Sequence, residues 1–391
     1  MTGKPIVVRG VILGDARVSD VSVQDGTVVR IAPAGRGPCD AGSAASIIAP
    51  ALFDIQVNGY GGIDLQGRDV LPEDVAAVDA KLQRIGVSRW IPTLITASYE
   101  NIEHGCATVA AALKDASLAR RIPGVHIEGP YISPLDGPRG AHDKRHVRRP
   151  NLREFDKWQK AADGRVAYVT VAPEIDSAIP FIKEMVKRNI VVSLGHHNAT
   201  PDDIARAADA GARMCTHLGN GMAAMINRHQ NPLWPQLADD RLHASIIADL
   251  EHLPPPVLKT IARVKGPDRL ILTSDAVHIA GLEPGHYDLA GMPVELLRTG
   301  RIQLSGTELL AGSAVTLLQG VLNAARYTDL TLEQAFACAS AVPAQLFGVG
   351  RPHTAPKRGA RANFLVLDVR RGPVRDTPTL RAAIIDGERI A

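Results

Sequence analysis

The chain has 391 residues, 45% hydrophobic and 22% charged, with 44 basic and 41 acidic side chains giving a formal charge of +3. So balanced a charge argues against nucleic acid or an anionic membrane surface as partner, and the length allows one large domain with a small one beside it. No apolar run would span a bilayer, the first ten residues lack a signal-peptide core, and four scattered cysteines, Cys39, Cys106, Cys215 and Cys338, predict reduced thiols in a cytoplasmic protein.

The first fifty residues read as short strands. "KPIVVRGVIL" and "VSVQDGTVVRIAP" show β-branched alternation, and Asp25-Gly26 is a hairpin signal. The pattern then changes. Eight short apolar runs, each ending in polar residues, cover 52–59, 88–96, 122–129, 166–174, 190–196, 212–217, 244–249 and 270–275. Amphipathic segments separate most of them. "PEDVAAVDAKLQRIG" ends in Gly86 as a C-cap candidate, and "TPDDIARAADAG" offers Thr200 as N-cap with Pro201 at the first helical position. Strands buried on both faces and alternating with helices predict a parallel sheet, and eight such units predict an α/β fold, a (β/α)8 TIM-type barrel over 51–354. The tail returns to strand pattern in "ANFLVLDV" and "LRAAIIDGERI". Residues 1–50 and 355–391 are therefore expected to form one small β-sandwich-like domain from both ends of the chain.

Catalytic groups of such a barrel sit at the C-terminal ends of its strands. Those ends carry Gln56 and Asn58, Thr93, Glu128, Glu174, His196, His217, Asp249 and Asp275. Taken singly, each has a bland explanation: a satisfied polar residue, an ion-pair partner or a cap. Jointly, two histidines, a glutamate and an aspartate at one mouth suit a divalent metal hydrolase, in which a carboxylate moves the proton of the attacking water. The doublet His196-His197 poses a choice. Neighbours on a strand face opposite ways, so at most one should reach a metal from the strand, and spacing alone does not say which face is inward.

These pieces resemble the N-acetylglucosamine-6-phosphate deacetylases of the amidohydrolase superfamily. "FDIQVNGYGG", "PTLIT", "GVHIEGPYISP" with "RGAH", "VTVAPE", "SLGHHNAT", "THLGNGM", "IIAD", "LTSDA" and "LAGSAVTL" occur in the family's order over nearly the whole chain. The resemblance implies Glu128, His196 and His217 as ligands of one divalent ion per subunit, zinc or alternatively ferrous iron, with Asp275 as general acid/base. It implies substrate contacts at Ala141, His142, Asn220, Gly221, Arg228, His252, Leu310, Ala311 and Gly312, Arg228 being the phosphate-binding position. It also implies an amino-sugar phosphate as substrate, with deacetylation to acetate and the amine, and a homodimer.

Three departures stand out. Gln56-x-Asn58 replaces the superfamily's His-x-His, which argues against a second metal. Leu250-Glu251 precedes His252 where the family commonly has Gly-x-His, and a carboxylate at 251 would repel a phosphate if it faced the pocket. "GNGMAAMINRHQNPLW" differs from the family's usual loop around Arg228. These changes keep open N-acetylgalactosamine 6-phosphate, a free N-acetylamino sugar or an N-acyl amino acid as substrate. From another class, a silent barrel retained as a binding protein also stays open.

Overall fold

Eight parallel strands wind in chain order: Leu52–Val57 (β1), Val87–Ile95 (β2), Val125–Glu128 (β3), Val166–Val171 (β4), Val191–Leu194 (β5), Met214–Cys215 (β6), His243–Ile247 (β7) and Leu270–Thr273 (β8). This is a computed structural model, and it describes residues 5–289, 291–350, 355–370 and 377–391. All eight apolar runs are barrel strands, so the predicted architecture is observed.

Side chains pointing outward, such as Val169, Val192, Leu194, Cys215 and Ile246, pack in the large core beneath the helices. Inward residues Phe53, Ile55, Ile91, Tyr168, Met214 and Ile271 fill the barrel floor. Above them lies a polar layer. His126 sits between Thr93 and Thr170 at 3.1 and 2.8 Å, and Thr216 reaches Thr170 at 2.8 Å and Ser193 at 2.5 Å.

The barrel's seam is made largely by side chains. β1 and β8 are joined by one bridge, from Val57 at the end of β1 to Ala276 just past β8. Asp54 Oδ1 accepts from Thr273 Oγ1 at 2.8 Å and from Ser274 N at 3.1 Å, and Asn58 Nδ2 donates to Asp275 Oδ1 at 2.8 Å. The register of β1 against β2 shifts between Asp54 and Val57, and both Gln56 and Asn58 reach carboxylates of the mouth.

Helix signals read from the sequence are present. Thr200 and Asp203 form a reciprocal capping box ahead of Pro201–Asp209. Gly86, at φ +92°, follows the helix Pro72–Arg84.

The two ends of the chain share a seven-stranded sheet. Ala41–Pro50 pairs in parallel with Ile6–Ile12 and antiparallel with Phe364–Arg370. Both Asp-Gly pairs are hairpin turns with two positive φ values, 49° and 78° at Asp25-Gly26 and 52° and 88° at Asp386-Gly387, as a type I′ turn requires. The sheet curls until Val28 exchanges backbone bonds with residues 359 and 360, enclosing Val8, Val21, Val28, Ile48, Phe364 and Ile384.

One element was not expected. Between β8 and the helix Leu317–Tyr327 the chain builds a four-stranded antiparallel sheet from Gly285–Leu289, Met292–Leu296, Arg301–Leu304 and Leu310–Ser313. Its strands have four or five residues, and glycines 291, 300 and 306 turn between them at positive φ. Such short, glycine-cut pieces give no sustained period in sequence. Ser313 bridges to Ala276, which docks the last strand beside the seam.

The seam yields a stability test. Asp54→Ala leaves the Thr273 hydroxyl and the Ser274 amide without their buried acceptor. It should cost about 1–3 kcal/mol, read as a lower urea midpoint, and an unchanged midpoint would show that the seam does not depend on this carboxylate.

Candidate active site and metal centre

Glu128 ends β3 and follows its alternation, sharing the inward face with His126. The two histidines reach the same point differently. On β5 the inward residues are Val191, Ser193 and Gly195; a Cβ on Gly195 would lie 2.8 Å or less from Thr170 and Thr216. Strict alternation would therefore aim His197 inward and His196 outward. His196 instead takes φ +51°, and this left-handed turn after the strand swings its ring into the mouth. His217 does the same after β6 at φ +31°, and Asp275 lies at φ +50° after β8. His197 points away, is buried, and lines a small recess with Gln236 and Pro232.

The ligand atoms of Glu128, His196 and His217 lie within 4.8 Å of one another, all three side chains buried. Glu128 Oε1 is 3.0 Å from His217 Nε2 and 3.3 Å from His196 Nε2, and the two imidazole nitrogens are 3.0 Å apart. His196 Nδ1 lies 2.9 Å from the Pro138 carbonyl, which makes that nitrogen a donor and leaves Nε2 facing the cluster. Burial raises the Glu128 carboxyl, but hydrogen bonds from His196 and His217 and their charge hold it well below the usual range. Burial lowers His217, and Glu128 more than reverses this.

Gln56 and Asn58 each support one carboxylate. Gln56 Nε2 donates to Glu128 Oε2 at 3.0 Å, as Asn58 does to Asp275. Their amide nitrogens are thus occupied as donors. Buried polar atoms without a protein partner gather here: Gln56 Oε1, Asn58 Oδ1, His217 Nδ1 and Asn220 Nδ2. Two imidazoles, one carboxylate and a rim of unsatisfied polar atoms fit a single divalent ion with an open coordination position. Burial pushes Asp275 up to about 7, the Glu128 charge adds to the shift, and His217 and Asn58 oppose it. A divalent cation beside Glu128 would draw that value down.

The remaining candidates surround this point to different degrees. His142 is buried with Nε2 3.1 Å from His196 Nε2 and Nδ1 2.8 Å from Thr96 Oγ1. Ala141, half-buried, precedes it in the same loop. Gly221 and Gly140 press on the His196 ring, where a Cβ would come within 2.9 and 3.3 Å. Leu310, Ala311 and Gly312 form the docked strand beside Asp275. His252 Nδ1 binds Asp249 Oδ2 at 2.7 Å. Arg228 is exposed and makes no ion pair among the described residues. Glu174 accepts from Asn198 N, and Thr93 serves the polar layer; neither joins the cluster.

Sequence reading missed Arg301, which reaches Glu251 Oε2 at 3.3 Å from the unexpected sheet. The anticipated repulsion of a phosphate by Glu251 is thus countered by an adjacent guanidinium. Leu250 takes φ +73°, a glycine-like backbone, at the position where the family commonly has glycine.

A model of the amidohydrolase family matches residues 47–388. The chain is 30% identical over 324 residues to the N-acetylgalactosamine-6-phosphate deacetylase of Escherichia coli O157:H7, covering 83% of this chain and 84% of that one. It is 33% identical over 360 residues to the human N-acetylglucosamine-6-phosphate deacetylase, covering 88% and 83%. The solved structure of a mutant N-acetyl-D-glucosamine-6-phosphate deacetylase from Mycobacterium smegmatis, in complex with N-acetyl-D-glucosamine 6-phosphate, superposes with a TM-score of 0.87 at 28% identity, over 99% of this chain and 100% of that one.

The two histidines of the doublet are separable by experiment. His196→Ala should empty the metal site in elemental analysis of purified protein, whereas His197→Ala should keep near-full occupancy. The reverse outcome would show that the left-handed turn at His196 does not set the ligand.

Proposed function

The chain belongs to the amidohydrolase family, among the N-acetylglucosamine-6-phosphate deacetylases, and we propose that it hydrolyses N-acetyl-D-glucosamine 6-phosphate to D-glucosamine 6-phosphate and acetate. The observation that carries this reading is the buried cluster of Glu128, His196 and His217 with Asp275 alongside. These three residues would hold one ion, zinc first and ferrous iron as the alternative. Such an ion would polarise the acetamide carbonyl and acidify a water.

Asp275 takes the proton of the attacking water and returns it to the nitrogen of the departing amine. Asn58 fixes Asp275 Oδ1, which leaves Oδ2 to carry that proton. We read Thr96 Oγ1, 2.8 Å from His142 Nδ1, as the donor of that pair, an assignment that puts the His142 proton on Nε2. His142 is then a donor aimed at the oxygen where negative charge develops, a contribution of about 3 kcal/mol. Asn220 Nδ2 supplies a donor for the sugar. Arg228 and His252 take the phosphate: Asp249 orients the imidazole, and the guanidinium offers its planar fork.

N-Acetylgalactosamine 6-phosphate is the second reading, favoured by the likeness to the Escherichia coli enzyme of that name. The two sugars differ in one hydroxyl, which these loops would judge. We read the protein as a cytoplasmic homodimer. Among the described residues no helix is long and apolar enough to cross a membrane. Met225 and Ile226 on the loop that carries Arg228, with Trp234 on the short helix after it, expose apolar surface, which suits a second copy.

A deacetylation panel on metal-analysed protein tests the reading. N-Acetylglucosamine 6-phosphate should give the highest kcat/KM, and a higher value for the galactose epimer would move the assignment to the second reading. Asp275→Asn should keep the metal and lose roughly 100- to 10,000-fold in kcat; an active variant would remove Asp275 as the base. Arg228→Ala should raise KM roughly tenfold for phosphorylated substrates with little change in kcat, and an equal loss on unphosphorylated analogues would argue against a phosphate role.

A further inference from the structure

At the opposite end of the barrel, where β2 begins, a cavity of about 310 Å³ opens between the barrel floor and the terminal sheet. Three separate pieces of the chain line it. β2 contributes Ser88 and Arg89, the helix Ala116–Arg121 contributes Arg120 and Arg121, and the terminal sheet contributes Arg361, Asn363 and Asp386. Four guanidiniums thus face one carboxylate.

That carboxylate is largely committed. The Asp386 carboxylate accepts a hydrogen bond from Arg121 Nη1 at 3.0 Å, and its backbone N–H donates to Asn363 Oδ1 at 2.7 Å. Arg121 is in turn neutralised from behind by Asp79 at 2.7 Å, and its bond to Asp386 clamps barrel to sheet. Arg120 and Arg361 reach Asp386 only at 3.7 and 3.5 Å. Arg89 has no carboxylate within ion-pair distance among the described residues. It lies against the Phe53 ring and donates to the Val349 carbonyl at 2.7 Å. Burial lowers its pKa to about 10, and the more distant Asp386 offsets this only in part. Arg89, Arg120 and Arg361 are therefore the surplus charge of the cavity.

We propose that this cavity binds a small phosphate monoester, whose anionic head is shared by Arg89, Arg120 and Arg361 and which ties the terminal sheet to the barrel floor. A tetrahedral dianion offers three oxygens to forks arriving from three directions, whereas a carboxylate offers two in one plane. The volume leaves room for an organic group beyond the phosphate. The site lies at the N-terminal ends of the strands and Glu128 at a C-terminal end, so occupancy stabilises the protein without competing for the mouth. This inference does not depend on the substrate proposed above.

The test is calorimetric titration of the metal-loaded wild-type protein and three variants with inorganic phosphate and with glucose 6-phosphate, alongside thermal melts. Arg120→Gln and Arg361→Gln remove exposed side chains and should fold normally. Each should weaken phosphate binding roughly tenfold, lower the ligand-induced rise in Tm, and leave kcat unchanged. Asp386→Asn removes the competing carboxylate and should tighten phosphate binding, a gain that a purely structural ion-pair network would not produce. Glucose 6-phosphate should bind this site more tightly than inorganic phosphate, and the reverse order would overturn the monoester assignment. Any phosphate held at the active-site mouth contributes equally to all four proteins. Equal affinities in wild type and variants, or no saturable binding, would overturn the proposal.

Discussion

A single buried carboxylate organises the mouth of the barrel. Glu128 would be costly to bury charged and alone. Its two oxygens divide the work that makes burial tolerable: Oε2 receives the Gln56 amide, and Oε1 faces the two imidazole nitrogens. The same charge acts outward. It raises His217, adds to the upward shift of Asp275, and gives a cation a reason to sit where three ligand atoms converge. Because Gln56 lies in β1 and Asn58 directly follows it, and each grips one carboxylate, the end of β1 sets the spacing between the ion-binding side and the proton-transfer side. The two amides therefore act as a pair of braces on the two carboxylates.

Much of this was legible in the sequence, for a physical reason in each case. The barrel strands announced themselves because burial on both faces demands continuous apolar runs, as in 166–171 and 244–247. The Asp-Gly turns were legible because only a few residues tolerate two positive φ values in succession. The cluster residues were legible as strand ends. What the sequence did not reveal was the parity of the doublet. Strand alternation holds only while the backbone is extended, and His196 and His217 both leave it by a left-handed step. Gly195 was the available hint, since an inward position crowded by Thr170 and Thr216 admits no side chain. The sheet of residues 285–313 was missed because its strands are short and broken by glycine, and with it went Arg301.

The departures in the loops read differently once placed. Leu250 keeps a backbone that glycine would adopt freely, so the chain retains the turn and accepts the strain of a branched side chain there. Glu251 arrives with its own counter-charge from a distant segment. A pair of opposite charges in such a loop is a more rigid boundary than a single charge of either sign. It favours ligands whose outline fits over those that merely carry charge.

The weaving of both chain ends into one sheet has a consequence for how the protein is made. Ala41–Pro50 finds its antiparallel partner, Phe364–Arg370, roughly 310 residues later. At ordinary synthesis rates that is a wait of roughly 15–60 s. Throughout it the early strands present an open edge with apolar Ile47, Ile48 and Ala49 on it. The barrel closes its own seam without the tail, since Asp54, Asn58, Thr273 and Asp275 all precede it. On the ribosome, then, the catalytic half can mature while the opening strands still lack their cover, which makes the nascent chain a natural client for holding chaperones.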